Sequence, residues 1–120
     1  MINNYLAARI RSFGYAFRGL WLMILTQPHP QLHALATIAV LIAGIVLHLR
    51  RWEWVAILLC IGMVWVAEAL NSALEFLADE VSLEKRERIG KAKDVAAGGV
   101  LIAAIVSVAV AALVFWNHLR

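Results

Sequence analysis

Residues 54–78 read WVAILLCIGMVWVAEALNSALEFLA, from Trp54 to Ala78, and this stretch decides how the chain folds. Its first half, Trp54 to Val66, carries no charge. A helix of 25 residues is about 37 Å long, enough to cross a hydrocarbon layer of ~30 Å. Yet Glu68 and Glu75 lie within it. A charge at membrane depth costs ~2.5–3.5 kcal/mol on insertion scales, so chains rarely carry one without a use for it. Glu68, Asn71, Glu75 and Asp79 follow a 3-4-4 spacing, which projects them from one face of a helix. The stretch reads as a membrane-crossing helix with a polar stripe. The apolar part sets the fold, and the stripe is the place to look for chemistry.

The composition around this helix agrees. The chain has 120 residues, 63% of them hydrophobic, with a mean hydropathy of +0.80. Soluble domains are nearer ~45–50% apolar. The sequence predicts one all-α integral membrane domain over residues 1–120. The formal charge of +3 is modest, and its basic residues alternate with acids or flank apolar runs. That pattern excludes nucleic acid as a partner and favours lipid head groups. A single cysteine, Cys60, sits in an apolar run and has no partner for an intrachain disulfide. Met1 to Leu6 lacks the basic start of a cleavable leader.

Three further segments read out. In residues 4–25, Leu6, Ile10, Phe13, Phe17, Leu20 and Ile24 recur at steps of four and three, and Arg11 and Arg18 share another face. This predicts an amphipathic helix lying on the membrane surface. Gln27-Pro28-His29-Pro30 ends it, because proline removes a backbone donor and pushes its predecessor toward extended geometry. Residues 32–49 and 95–116 hold no Asp, Glu, Lys or Arg and are long enough to span. With 54–78 they make three transmembrane helices. Eight of the eleven Lys and Arg residues fall before the first span or in the 79–94 loop; Arg50, Arg51 and Arg120 fall on the other side. The positive-inside rule places the N-terminus and the 79–94 loop in the cytoplasm, and Trp52, Trp54 and Trp116 form a belt at the far interface. The loop holds five acids and five bases, which by itself reads as a solvated turn.

The familiar phosphate and zinc motifs are absent. Gly14 to Gly19 has two glycines without the lysine and hydroxyl of a phosphate loop. His29 and His33 flank Pro30, have no third ligand, and read as interfacial histidines. The stripe permits three readings. Glu68 suits a general base, Glu75 a hard cation such as Mg²⁺, and Lys93 a phosphate, which together suit phosphoryl transfer to a lipid alcohol. The same glutamates would suit a small proton-coupled transporter. They would also suit a non-catalytic protein whose helices are held together by hydrogen bonds.

Glu68-Ala69-Leu70-Asn71-Ser72-Ala73-Leu74-Glu75, then Asp79, then Lys91-Ala92-Lys93-Asp94-Val95-Ala96-Ala97-Gly98-Gly99, resembles the small bacterial membrane lipid kinases. These are the prokaryotic diacylglycerol kinases and the related undecaprenol kinases. The resemblance runs from about Phe13 to the end of the last span. It implies a homotrimeric helical bundle in the bacterial inner membrane, each chain giving a surface helix and three spans, with active sites between neighbours on the cytoplasmic side. It implies ATP as co-substrate and Mg²⁺. Carried over by motif, Glu68 is the catalytic base and Glu75 a metal ligand. Tyr15, Asn71, Asp79, Glu84, Lys93 and Asp94 serve ATP, while Gly14, Arg18 and Gly19 meet the lipid. Two departures stand out. Gln27 occupies the place of the family's second metal-binding glutamate, and Lys85-Arg86 replaces the Tyr-His of the nucleotide loop. His33, together with Ala96 to Gly99, is more like the undecaprenol branch, so the resemblance favours undecaprenol over diacylglycerol as acceptor.

Overall fold

The computed structural model describes all of residues 1–120 as four helices: α1 (Ile2–Thr26), α2 (Pro28–Val46), α3 (Arg51–Val81) and α4 (Glu87–Leu119). No strand is present. α2, α3 and α4 are each long and apolar enough to cross a membrane. The all-helical membrane architecture expected from the composition is the one observed.

Each helix boundary has a local cause. α1 stops at Thr26 because Gln27, which precedes a proline, is extended (φ −112°, ψ 129°). α2 starts on Pro28 itself, four residues before the run at Leu32 that marked it in the sequence. Both prolines sit in the first turn, where the missing N–H groups have no intrahelical acceptor to lose. α2 ends in a Schellman turn. Leu49 N–H donates to Gly44 O at 3.1 Å and His48 N–H to Ile45 O at 3.3 Å. His48 adopts the left-handed conformation this turn requires, φ 55°. Glu53, at the third position of α3, accepts the backbone N–H of Arg50 at 2.9 Å and so caps that helix.

The expected loop over 79–94 is corrected by the structure. Residues 79–81 finish α3 and residues 87–94 begin α4, leaving 82–86 as the connection. Charge does not break a helix: Glu, Lys and Arg are good helix formers. Glu87 lies in the first turn of α4, where an acid favours the helix dipole, and pairs with Lys91 one turn on at 3.1 Å. α3 and α4, with 31 and 33 residues, are therefore about 46 and 50 Å long. Both outrun the hydrocarbon and carry their charged ends beyond it.

α3 and α4 form an antiparallel hairpin that supplies most of the packing. Its apolar centre is Leu49, Ile57 and Val114, with Trp54, Ile61, Val110 and Phe115 against them. At the same end His118 Nε2 lies 2.9 and 3.0 Å from the two oxygens of buried Glu53. Halfway along, Ser107 Oγ donates to Cys60 O at 3.4 Å. α2 is fixed to α3 by Trp65 Nε1, which donates to Thr37 Oγ1 at 3.0 Å; that hydroxyl in turn donates to His33 O at 2.7 Å. α1 meets the rest of the chain near its C-terminal end, where Met23 is buried and Gln31 Nε2 donates to Ile24 O at 3.0 Å. Its apolar residues Leu6, Ile10, Phe13 and Phe17 are exposed, as a surface helix requires. The molecule measures 52 × 47 × 20 Å.

Candidate active site

α3 delivers the stripe as the spacing requires, with exposure rising along it. Glu68 is fully buried, Asn71 and Glu75 are half-buried, and Asp79 is exposed. Glu68 faces α2, where its Oε1 lies 2.5 Å from His33 Nδ1. These two atoms are each other's one polar partner. Glu68 Oε2 and Asn71 Oδ1 have no polar partner within the chain. No other buried side-chain polar atom in the chain is left so. An unsatisfied buried polar group costs about 1–3 kcal/mol, and native proteins leave few of them. Two of them beside one buried ion pair mark a site whose remaining polar partners come from outside the chain.

At the other end of the stripe, α4 supplies Lys93. Its Nζ donates to Asp79 Oδ1 at 2.9 Å. Lys93 lies before the charge-free run of α4, outside the hydrocarbon. The hydrogen bond to Asp79 holds its ammonium above the usual lysine range; partial desolvation opposes this, and the charges of Asp79 and Glu75 add to it. Lys93 is thus a firmly charged cation beside the stripe. Asp94 follows it, exposed, on the first turns of α4.

The remaining candidates are placed less closely. Glu84 is exposed in the 82–86 connection, its N–H donating to Ser82 Oγ at 3.1 Å. Gly14, Tyr15, Arg18 and Gly19 are exposed on α1, with the Arg18 guanidinium 5.7 Å from the centre of the Tyr15 ring. No hydrogen bond or ion pair joins these four to the stripe. A Cβ at Gly14 or Gly19 would meet nothing within 4 Å, so that face of α1 is open. Gln27 is half-buried at the α1–α2 corner, and its backbone N–H donates to Met23 O at 3.0 Å. No three of the His, Cys, Asp and Glu side chains converge into an all-protein metal cage. One residue was missed as part of the site. His33 reads as interfacial in the sequence, and only the packing of α2 on α3 brings it to Glu68.

The sequence comparisons can be set beside this geometry. The model of a family described as prokaryotic diacylglycerol kinase matches residues 14–115. The undecaprenol kinase of Bacillus subtilis (strain 168) is 38% identical over 113 residues, covering 94% of this chain and 92% of that protein. The diacylglycerol kinase of Escherichia coli (strain K12) is 28% identical over 109 residues, covering 91% and 89%. A diacylglycerol kinase of Synechocystis sp. is 37% identical over 100 residues, covering 82% of this chain and 57% of that protein.

Proposed function

The chain belongs to the prokaryotic diacylglycerol kinase family, and we propose that it phosphorylates undecaprenol with ATP and Mg²⁺ in the bacterial inner membrane. One observation carries the reading. Glu68, a buried carboxylate with one oxygen unpartnered, heads a stripe that leads out of the membrane to the Lys93–Asp79 pair. A lipid hydroxyl reaches the buried end from within the bilayer, and a nucleotide reaches the charged end from water. The basic-residue count supports a cytoplasmic N-terminus and site.

Glu68 takes the proton of the acceptor hydroxyl as its O–H bond breaks. The freed oxygen bonds to the γ-phosphorus of ATP. The bond from that phosphorus to the β–γ bridging oxygen breaks, and ADP leaves. Lys93 neutralises phosphate charge as a point cation, and Asp79 and Asp94 orient it. Mg²⁺, when bound, offsets charge on the β- and γ-phosphate oxygens. Glu75 with the Gln27 amide oxygen would hold it. Mg²⁺ sites at phosphates take one or two carboxylates and complete themselves with substrate and water. The free Asn71 Oδ1 beside Glu75 suits such an all-oxygen set. Gly14, Arg18 and Gly19 receive the lipid on the open face of α1, while Tyr15 and Glu84 border the nucleotide. α1 belongs to a homotrimer in which a neighbouring chain completes each site.

Undecaprenol is favoured over diacylglycerol by the match along 92% of the undecaprenol kinase, against 57% of the diacylglycerol kinase of similar identity, and by His33 and Ala96 to Gly99. The test is transfer from labelled ATP to a panel of long-chain isoprenoid alcohols and diacylglycerols in vesicles. Undecaprenol should be the best acceptor, and Glu68→Gln should abolish transfer. Preference for diacylglycerol would reverse the assignment of acceptor. No product from any alcohol, with the protein correctly folded, would refute the kinase reading.

A further inference from the structure

We propose that His33 is a positioning residue for the Glu68 carboxylate, holding one of its oxygens so that the other faces the acceptor hydroxyl. This rests on the reading of Glu68 as the base. The geometry starts from Glu68 itself. It is fully buried and its side chain has several rotatable bonds. Asn71 and Ser72 lie one turn further along the same helix face, and no group on α3 itself holds either carboxylate oxygen. A carboxylate left to itself there has more than one rotamer to occupy. Its one close polar neighbour on another helix is His33 Nδ1, 2.5 Å from Oε1. That contact selects Oε1 and leaves Oε2 without a partner.

His33 is itself held in place. Its backbone carbonyl accepts Thr37 Oγ1 at 2.7 Å, and Thr37 accepts Trp65 Nε1 at 3.0 Å. Trp65 precedes Glu68 by three residues on α3, as Thr37 follows His33 by four on α2. The two helices therefore meet in two successive polar rungs, Trp65–Thr37 and Glu68–His33. The first rung fixes the level of the second, so the His33 contact is set by the backbone of α2. The ring also lines an apolar cavity of about 190 Å³ between α2, α3 and α4, walled by Val40, Ile57, Ile61 and Val64. In such surroundings a polar contact is stronger than in water, and its alignment can tighten when the substrates arrive.

The atom involved makes the proposal specific. The amide nitrogen of asparagine can stand close to where Nδ1 does, whereas that of glutamine reaches the position of Nε2. His33→Leu should lower kcat about 100-fold, the scale of a reacting group misplaced by 1 Å, with KM for ATP and for the lipid unchanged. His33→Asn should restore most of kcat, and His33→Gln should not. A purely structural histidine would predict loss of folded protein, or equal rescue by both amides. A His33→Leu enzyme with unchanged kcat, or rescue by glutamine alone, would overturn the proposal. A second measurement needs no activity. In bilayers, the ¹⁵Nδ1 resonance of labelled His33 should move on Glu68→Gln, and an unmoved resonance would overturn the contact. A moved resonance in a protein inactive on every lipid would instead refute the kinase reading while upholding the pairing.

Discussion

Lys93 and Asp79 are the residues through which the stripe reaches water, and their pairing has a pH signature. The lysine is held above its ordinary value in the folded chain. While Asp79 is ionised, the pair therefore adds stability in full below the unfolded lysine value, about 10.4, and loses it as pH rises through the raised folded value. Asp79→Asn should lower the melting temperature at pH 8, and the gap from wild type should close as pH rises through the raised lysine value. A series of thermal melts from pH 8 into the alkaline range reads this directly. Gln27 invites a second substitution. An amide oxygen brings no charge to a cation, so Gln27→Glu should lower the Mg²⁺ concentration giving half-maximal activity several-fold. An unchanged Mg²⁺ titration would remove Gln27 from the metal. The stripe was legible because its four members share one helix, where spacing alone fixes direction. His33 was not, because its contact depends on how two helices pack.

Among the elements, the corner between α2 and α3 is the most constrained. A Cβ on Gly44 would lie 2.7 Å from Trp54 Cη2 and 3.0 Å from Leu49 Cδ1. The indole is packed into the core and has little room to yield. Gly44→Ala should cost about 1–3 kcal/mol, the usual range for overpacking, and denaturant titration in detergent measures it. The apolar runs of α2, α3 and α4 were legible as spans because no other element accounts for so many consecutive apolar residues. The helix ends were less so. Two prolines in sequence suggested a break at which α2 would start late, but the first turn of a helix accepts them. The charged residues at 79–94 suggested a loop, yet their helix propensity, with pairs such as Glu87–Lys91, carries both helices well past the apolar runs.

For the whole molecule, only 12 of 120 residues are buried, and the shortest dimension is 20 Å, about two packed helices. The rest of the enclosure must come from outside the chain. If neighbouring chains complete each site, a Glu68→Gln chain and a Lys93→Met chain, each inactive alone, should regain part of the activity when co-assembled. Mixed assemblies inactive at every ratio would confine each site to one chain. The α3–α4 hairpin is tied at both ends, through Glu53 and His118 at one and Asp79 and Lys93 at the other. Splaying it at either end would break one of these pairs. α1 carries no such double tie: its contacts with the rest of the chain lie mainly at one end, so its free half is the part of the chain that moves at the least cost.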